Sequence, residues 1–157
     1  NSIKKEEWFA NTIFIITADH TSGVRYKKKY KNKLGRYAIP MVIFKGDSSL
    51  QGVNKNVVQQ IDIMPTLLEM IQYNKAYFAF GKSMLGQQQW AINKLQNHYY
   101  FITPNGIINN KEEEYSTFSD WGLSKDTITN KQDMALLKAI KQDYNWRMIN
   151  NKICYEN

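Results

Sequence analysis

The run Thr12-Ile13-Phe14-Ile15-Ile16-Thr17-Ala18 constrains this chain more than any other stretch. Its β-branched and apolar side chains fall on both alternating faces, so a strand here needs cover on both sides. That is the condition of a central strand in a parallel sheet. Asn11 punctuates its start, and the strand delivers Asp19 and His20 at its carboxyl end.

The segments on either side set the architecture. Ile3 to Ala10 is short and charged and reads as the end of a helix. From Thr21 to Gly35 the chain is polar, basic and without periodicity, which predicts a loop. Ala38 to Phe44 is apolar again. Pro40 lacks an N–H and is tolerated only near a strand start or edge, so a second strand is expected there. A helix follows, with Asp62 as its cap and Pro65 in its first turn, where no helical N–H partner exists. Ile61, Met64, Leu67, Leu68 and Ile71 recur at spacings of three and four and predict its inward face.

The texture changes after Gly86, at Gln87-Gln88-Gln89. Tyr99 to Thr103 and Ile107-Ile108 flank Pro104-Asn105-Gly106, and Asn-Gly between apolar runs is a strong hairpin signal. Met134, Leu137, Ile140, Tyr144 and Met148 fall at helical spacing in the last stretch, with Asn130 and Asp133 placed to serve its N-terminus. The expected division is 1–86 as part of an α/β layered domain and 87–157 as a hairpin-plus-helix subdomain.

An Asp and a His side by side at a strand end combine a hard carboxylate oxygen with an imidazole nitrogen, and both ligate divalent cations. Ligand sites in open α/β sheets gather at the carboxyl ends of strands. Neighbours in a regular strand point to opposite faces, so Asp19 and His20 reach one ion only if the chain turns there. The competing reading is a chance dipeptide whose Asp caps a turn. Two ligands are also fewer than the three that a catalytic ion usually takes, and His98, in an aromatic strand, reads as a packed structural residue.

The block Arg25-Tyr26-Lys27-Lys28-Lys29-Tyr30-Lys31-Asn32-Lys33 admits three readings: a nucleic-acid surface, a solvated loop, or a basic rim for anionic substrates. No nucleic-acid partner is expected. Arg36 reads as an anion ligand or, preferentially, as the partner of a structural carboxylate. No Gly-rich phosphate loop, C-x-x-C pair or G-x-S-x-G elbow is present, and the single cysteine, Cys154, excludes an intrachain disulfide framework. With 157 residues, 43% hydrophobic and 13% aromatic, the chain suffices for a real core, and no apolar run approaches the length of a membrane span. The piece reads as soluble, and its start as a cut point inside a longer protein.

Several strings, in order, carry a resemblance: Trp8-Phe9, then Asn11 through Ser22 with Asp19-His20 inside it, Gly35-Arg36-Tyr37, Ile39-Pro40, and Gln59-Gln60-Ile61-Asp62-Ile63-Met64-Pro65-Thr66-Leu67-Leu68. Phe78-Ala79-Phe80-Gly81 and the terminal helix extend it. Together they resemble the distal half of bacterial lipoteichoic-acid-synthase-like sulfatases, in the alkaline phosphatase superfamily. Thr21 stands where many superfamily members have Gly.

The resemblance implies a C-terminal portion of a layered α/β catalytic domain, with a small antiparallel sheet and a C-terminal helix. It implies that Asp19 and His20 bind a catalytic divalent metal, manganese by analogy with lipoteichoic acid synthases, with zinc or calcium in other branches. A threonine nucleophile and an acidic ligand would lie upstream, so no catalytic residue is assigned in this chain, which alone would be inactive. The implied partners are the N-terminal remainder of the protein and an anionic phosphoglycerol, phosphodiester or sulfate-ester substrate. The implied place is the extracytoplasmic face of the bacterial cell membrane. The alternative expectation is a non-catalytic structural or binding module acting through the basic loop 25–36.

Overall fold

The computed structural model describes residues 2–23, 27–86, 90–126 and 130–154. The Gln87-Gln88-Gln89 tract and Arg25-Tyr26 lie outside them. The chain divides into two compact units, 1–55 and 56–157.

In the first unit, 3-10 turns at Ile3–Lys5 and Phe9–Asn11 precede strand β1, Ile13–Thr17, and two more at Lys28–Tyr30 and Gly35–Tyr37 precede β2, Met41–Lys45. The opening segment is therefore a pair of tight turns rather than a helix end. β2 begins directly after Pro40, where the missing N–H costs no ladder bond. The two strands pair antiparallel, Ile13 opposite Lys45 and Thr17 opposite Met41, as a two-stranded ribbon. This corrects the central parallel strand expected from the apolar pattern. That pattern reports only that both faces are apolar. A parallel pair needs a crossover, usually helical, whereas the connection here is a polar stretch of tight turns that brings the chain straight back. Phe14 stacks on its cross-strand partner Phe44 at 4.7 Å, and Phe9 adds a ring 5.3 Å from Phe14. Farther along the same face Ile16 stays 60% exposed, as does much of its partner Val42.

In the second unit, a 3-10 turn at Gln60–Asp62 runs into helix α1, Ile63–Met70. The Asp62 carboxylate does not cap α1. It accepts the Gln59 N–H at 2.9 Å, while the Gln59 side chain accepts in return, and its other oxygen accepts the Lys82 N–H at 2.9 Å. The buried side of α1 is Asp62, Pro65 and Thr66, with Thr66 Oγ1 donating to the Asp62 carbonyl and accepting the Met84 N–H. Ile61, Met64 and Ile71 from the expected inward stripe are exposed. Backbone groups of the 81–84 segment need polar partners, and that need turns the polar edge of the helix inward.

Five strands then form an antiparallel meander: β3 Ala91–Leu95, β4 His98–Thr103, β5 Gly106–Lys111, β6 Glu114–Phe118 and β7 Lys125–Asp126. The expected hairpin is present, with Pro104-Asn105 as its loop and Thr103 opposite Gly106. Gly106 sits at φ 136°, and a Cβ there would lie 2.8 Å from the Phe118 carbonyl oxygen, so glycine is required twice over. Helix α2, Lys131–Ile149, starts at Asn130, whose Oδ1 accepts the N–H groups of Gln132 and Asp133. Trp90, Phe101, Ile108 and Leu137 form the core between sheet and helix, with Met134 and Ile140 packed at its margin. Tyr144 and Met148, farther along the predicted stripe, are half exposed. Fully buried Asn110 accepts Lys141 Nζ and donates to the carbonyls of Glu112 and Glu114. The mixed α/β composition, small antiparallel sheet and C-terminal helix agree with the fold class read from the sequence.

Candidate metal centre

β1 ends at Thr17, two residues before Asp19, and the chain bends at Asp19 and His20. The bend removes the alternation that would send the two side chains to opposite faces. Asp19 Oδ1 accepts the His20 N–H at 2.8 Å, which fixes the carboxylate and leaves Oδ2 free of that bond. His20 Nδ1 lies 2.8 Å from the Thr21 carbonyl oxygen. A carbonyl only accepts, so Nδ1 carries a proton, and the tautomer with one proton there presents its lone pair at Nε2. Orienting a ligating histidine through its other nitrogen is the usual device at metal sites. Nε2 stands 3.6 Å from Asp19 Oδ2.

That separation suits a shared cation. Two N/O ligands each about 2.1 Å from one ion stand roughly 3–3.5 Å apart, so closure needs a few tenths of an ångström. Both side chains are largely exposed and open to an ion. Asp19 and His20 nevertheless supply only two ligands: among the described residues no group of three His, Cys, Asp or Glu side chains is placed to hold a metal. The residues fit half of a site.

The loop after the corner returns to it. The Thr21 N–H donates to the Arg36 carbonyl oxygen at 2.8 Å, closing the polar stretch into a ring whose exit lies beside the Asp19-His20 bend. Sequence reasoning missed this closure, because a backbone bond across fifteen residues leaves no side-chain signature. Among the described residues Arg36 has no carboxylate partner, contrary to the preferred expectation. Thr21 Oγ1 is enclosed without a hydrogen-bond partner among them. His98 takes the packed role expected of it, with Nδ1 3.0 Å from Asn109 Oδ1 and its ring stacked on Tyr100.

With this geometry in view, the likeness to known proteins falls into place. The chain superimposes with a TM-score of 0.78 on the crystal structure of a protein in the alkaline phosphatase superfamily from Vibrio parahaemolyticus, at 20% sequence identity and over 98% of this chain. The two share a fold. Residues 1–73, which include Asp19, His20 and the basic loop, match the sulfatase family model. The chain spans 39% of the length of the Vibrio superfamily protein. Among the described residues no helix is long and apolar enough to cross a membrane.

Proposed function

We propose that the intact protein is a metal-dependent enzyme acting on phosphodiester or sulfate esters, a phosphoglycerol transferase or a sulfatase-like hydrolase, with Asp19 and His20 as two of its metal ligands. The observation that carries this reading is the approach of Asp19 Oδ2 and His20 Nε2 to 3.6 Å at a bend just past β1, within the segment that matches the sulfatase model. The cation would be manganese, with zinc or calcium as the alternatives. When bound, it would supply Lewis acidity toward an anionic ester oxygen and toward a hydroxyl nucleophile. Asp19 contributes negative charge to hold the ion, and the Thr21 carbonyl keeps the His20 ring in the tautomer that can ligate it.

Transfer would run through a covalent threonine intermediate, with the threonine and the remaining ligands in parts of the protein outside these residues. Whether water or an alcohol resolves that intermediate decides between hydrolase and transferase. The lipoteichoic-acid-synthase-like branch and an extracytoplasmic catalytic domain belong to the same proposal. The test uses the intact protein with chromogenic phosphodiester and sulfate-ester substrates. Asp19→Ala and His20→Ala should each lower turnover at least a hundredfold and leave the fold unchanged by circular dichroism. Wild-type turnover in both variants would sink the reading.

A further inference from the structure

The whole net positive charge lies in one unit: residues 1–55 hold 11 Lys and Arg against 4 Asp and Glu, and residues 56–157 hold 10 against 10. No acidic residue occurs between Asp19 and Asp47. Within that interval Lys27, Lys28, Lys29, Lys31, Lys33 and Arg36 are all exposed, and among the described residues none of them is in an ion pair.

These cations are displayed on a built element. Asn32 Oδ1 accepts the Gly35 N–H at 2.7 Å, and Leu34 is buried to 1% exposure. A Cβ on Gly35 would stand 1.7 Å from the Lys29 carbonyl oxygen, so only glycine allows the two turns to close on each other. The segment is thus a knot pinned from inside with its charges outside. At about 2 Å of rise per residue in 3-10 turns, cations that neighbour one another along it stand within roughly a Debye length and repel. A single small anion relieves one or two of them, whereas a chain of anions relieves the set and releases its own counterions.

We infer that the Lys27–Arg36 knot is a docking surface for a polyanionic chain, an oligomer with successive phosphate or sulfate ester groups, held beside the Asp19-His20 corner. The inference deepens the proposed function and rests on it for the identity of the ligand as substrate. Lysine binds either ester group as a point charge, so the chemistry recognised is the row of anions. Nucleic-acid stacking is disfavoured, because Tyr30 is half-buried with Lys29 Nζ 4.8 Å over its ring. Insertion into a lipid surface is disfavoured as well, since Leu34 points inward.

The test measures binding of short-chain inorganic polyphosphate, dextran sulfate, orthophosphate and phosphatidylglycerol vesicles to the intact protein. One variant replaces Lys27, Lys28, Lys29, Lys31 and Lys33 by Gln, and a control replaces Lys94, Lys111, Lys125, Lys131 and Lys138 by Gln. Both soluble polyanions should bind wild type and control. The knot variant should bind at least tenfold more weakly, with a shallower dependence of affinity on salt, and Gly35→Ala should weaken binding with every charge retained. Equal polyanion affinity in knot variant and wild type overturns the inference, as does binding to vesicles with none to soluble polyanions. Full turnover in Asp19→Ala together with weakened polyanion binding in the knot variant would sink the catalytic reading while the docking surface stands.

Discussion

The two units of the chain divide the apolar core and the candidate site between them. Among the described residues, 56–157 contain nearly all of the buried apolar side chains, Trp90, Tyr100, Phe101, Ile102, Ile107, Ile108 and Leu137, while 1–55 bury only Leu34 among theirs. Conversely, the first unit holds Asp19, His20 and every excess positive charge, and the second is neutral. A two-stranded ribbon is marginal in water by itself, and β1 and β2 form one with apolar side chains on both faces. The part with the candidate chemistry is thus the part with the least core of its own. Its exposed Ile16 and Val42 are faces suited to cover from further chain.

The sharpest way to break this contrast is to truncate each unit's apolar residues. Phe101→Ala removes a fully buried ring from the core and should cost about 3–5 kcal/mol by denaturant unfolding. A cost under about 1 kcal/mol would mean that the second unit is not held by that core. Asn110→Ala leaves Lys141 Nζ and the Glu112 and Glu114 carbonyls without their buried partner and should cost about 1–3 kcal/mol by the same measurement.

Asp62 gives a smaller, pH-dependent effect. Burial raises its pKa above the ordinary 3.8, against the backbone N–H bonds from Lys82 and Gln59 that favour the charged form. The folded state therefore holds that proton more tightly than the unfolded state. This contribution stabilises progressively as pH falls through the raised value and is complete below 3.8. The difference in unfolding free energy between wild type and Asp62→Asn should trace that slope, and a difference flat across the acid range would remove the assignment. The smallest effect belongs to the first unit: Ile16→Ser, on a largely exposed side chain, should shift the stability of this chain by no more than about 0.5 kcal/mol.

Elements whose signals are local were legible in the sequence. The Pro104-Asn105-Gly106 hairpin, the Asn130 cap of α2 and the position of β2 after Pro40 each rest on one or two residues whose backbone chemistry admits few conformations. Features decided by distant partners were not. The apolar run of β1 did not reveal its antiparallel partner, and the stripe on α1 did not reveal that Asp62 and Thr66 would turn inward to satisfy the N–H groups of Lys82 and Met84. At the candidate site, the residue types were readable in Asp19-His20. The bend that lets them converge and the Thr21 carbonyl that orients His20 are backbone facts, invisible in composition.

The central claim is that Asp19 and His20 are two ligands of one divalent cation. It is tested most directly by measuring bound metal, by elemental analysis, in the intact protein and in its Asp19→Ala and His20→Ala variants after equilibration with limiting manganese. The account predicts metal in the wild type and at least a tenfold fall in manganese affinity in each variant. Undiminished affinity in both would contradict it.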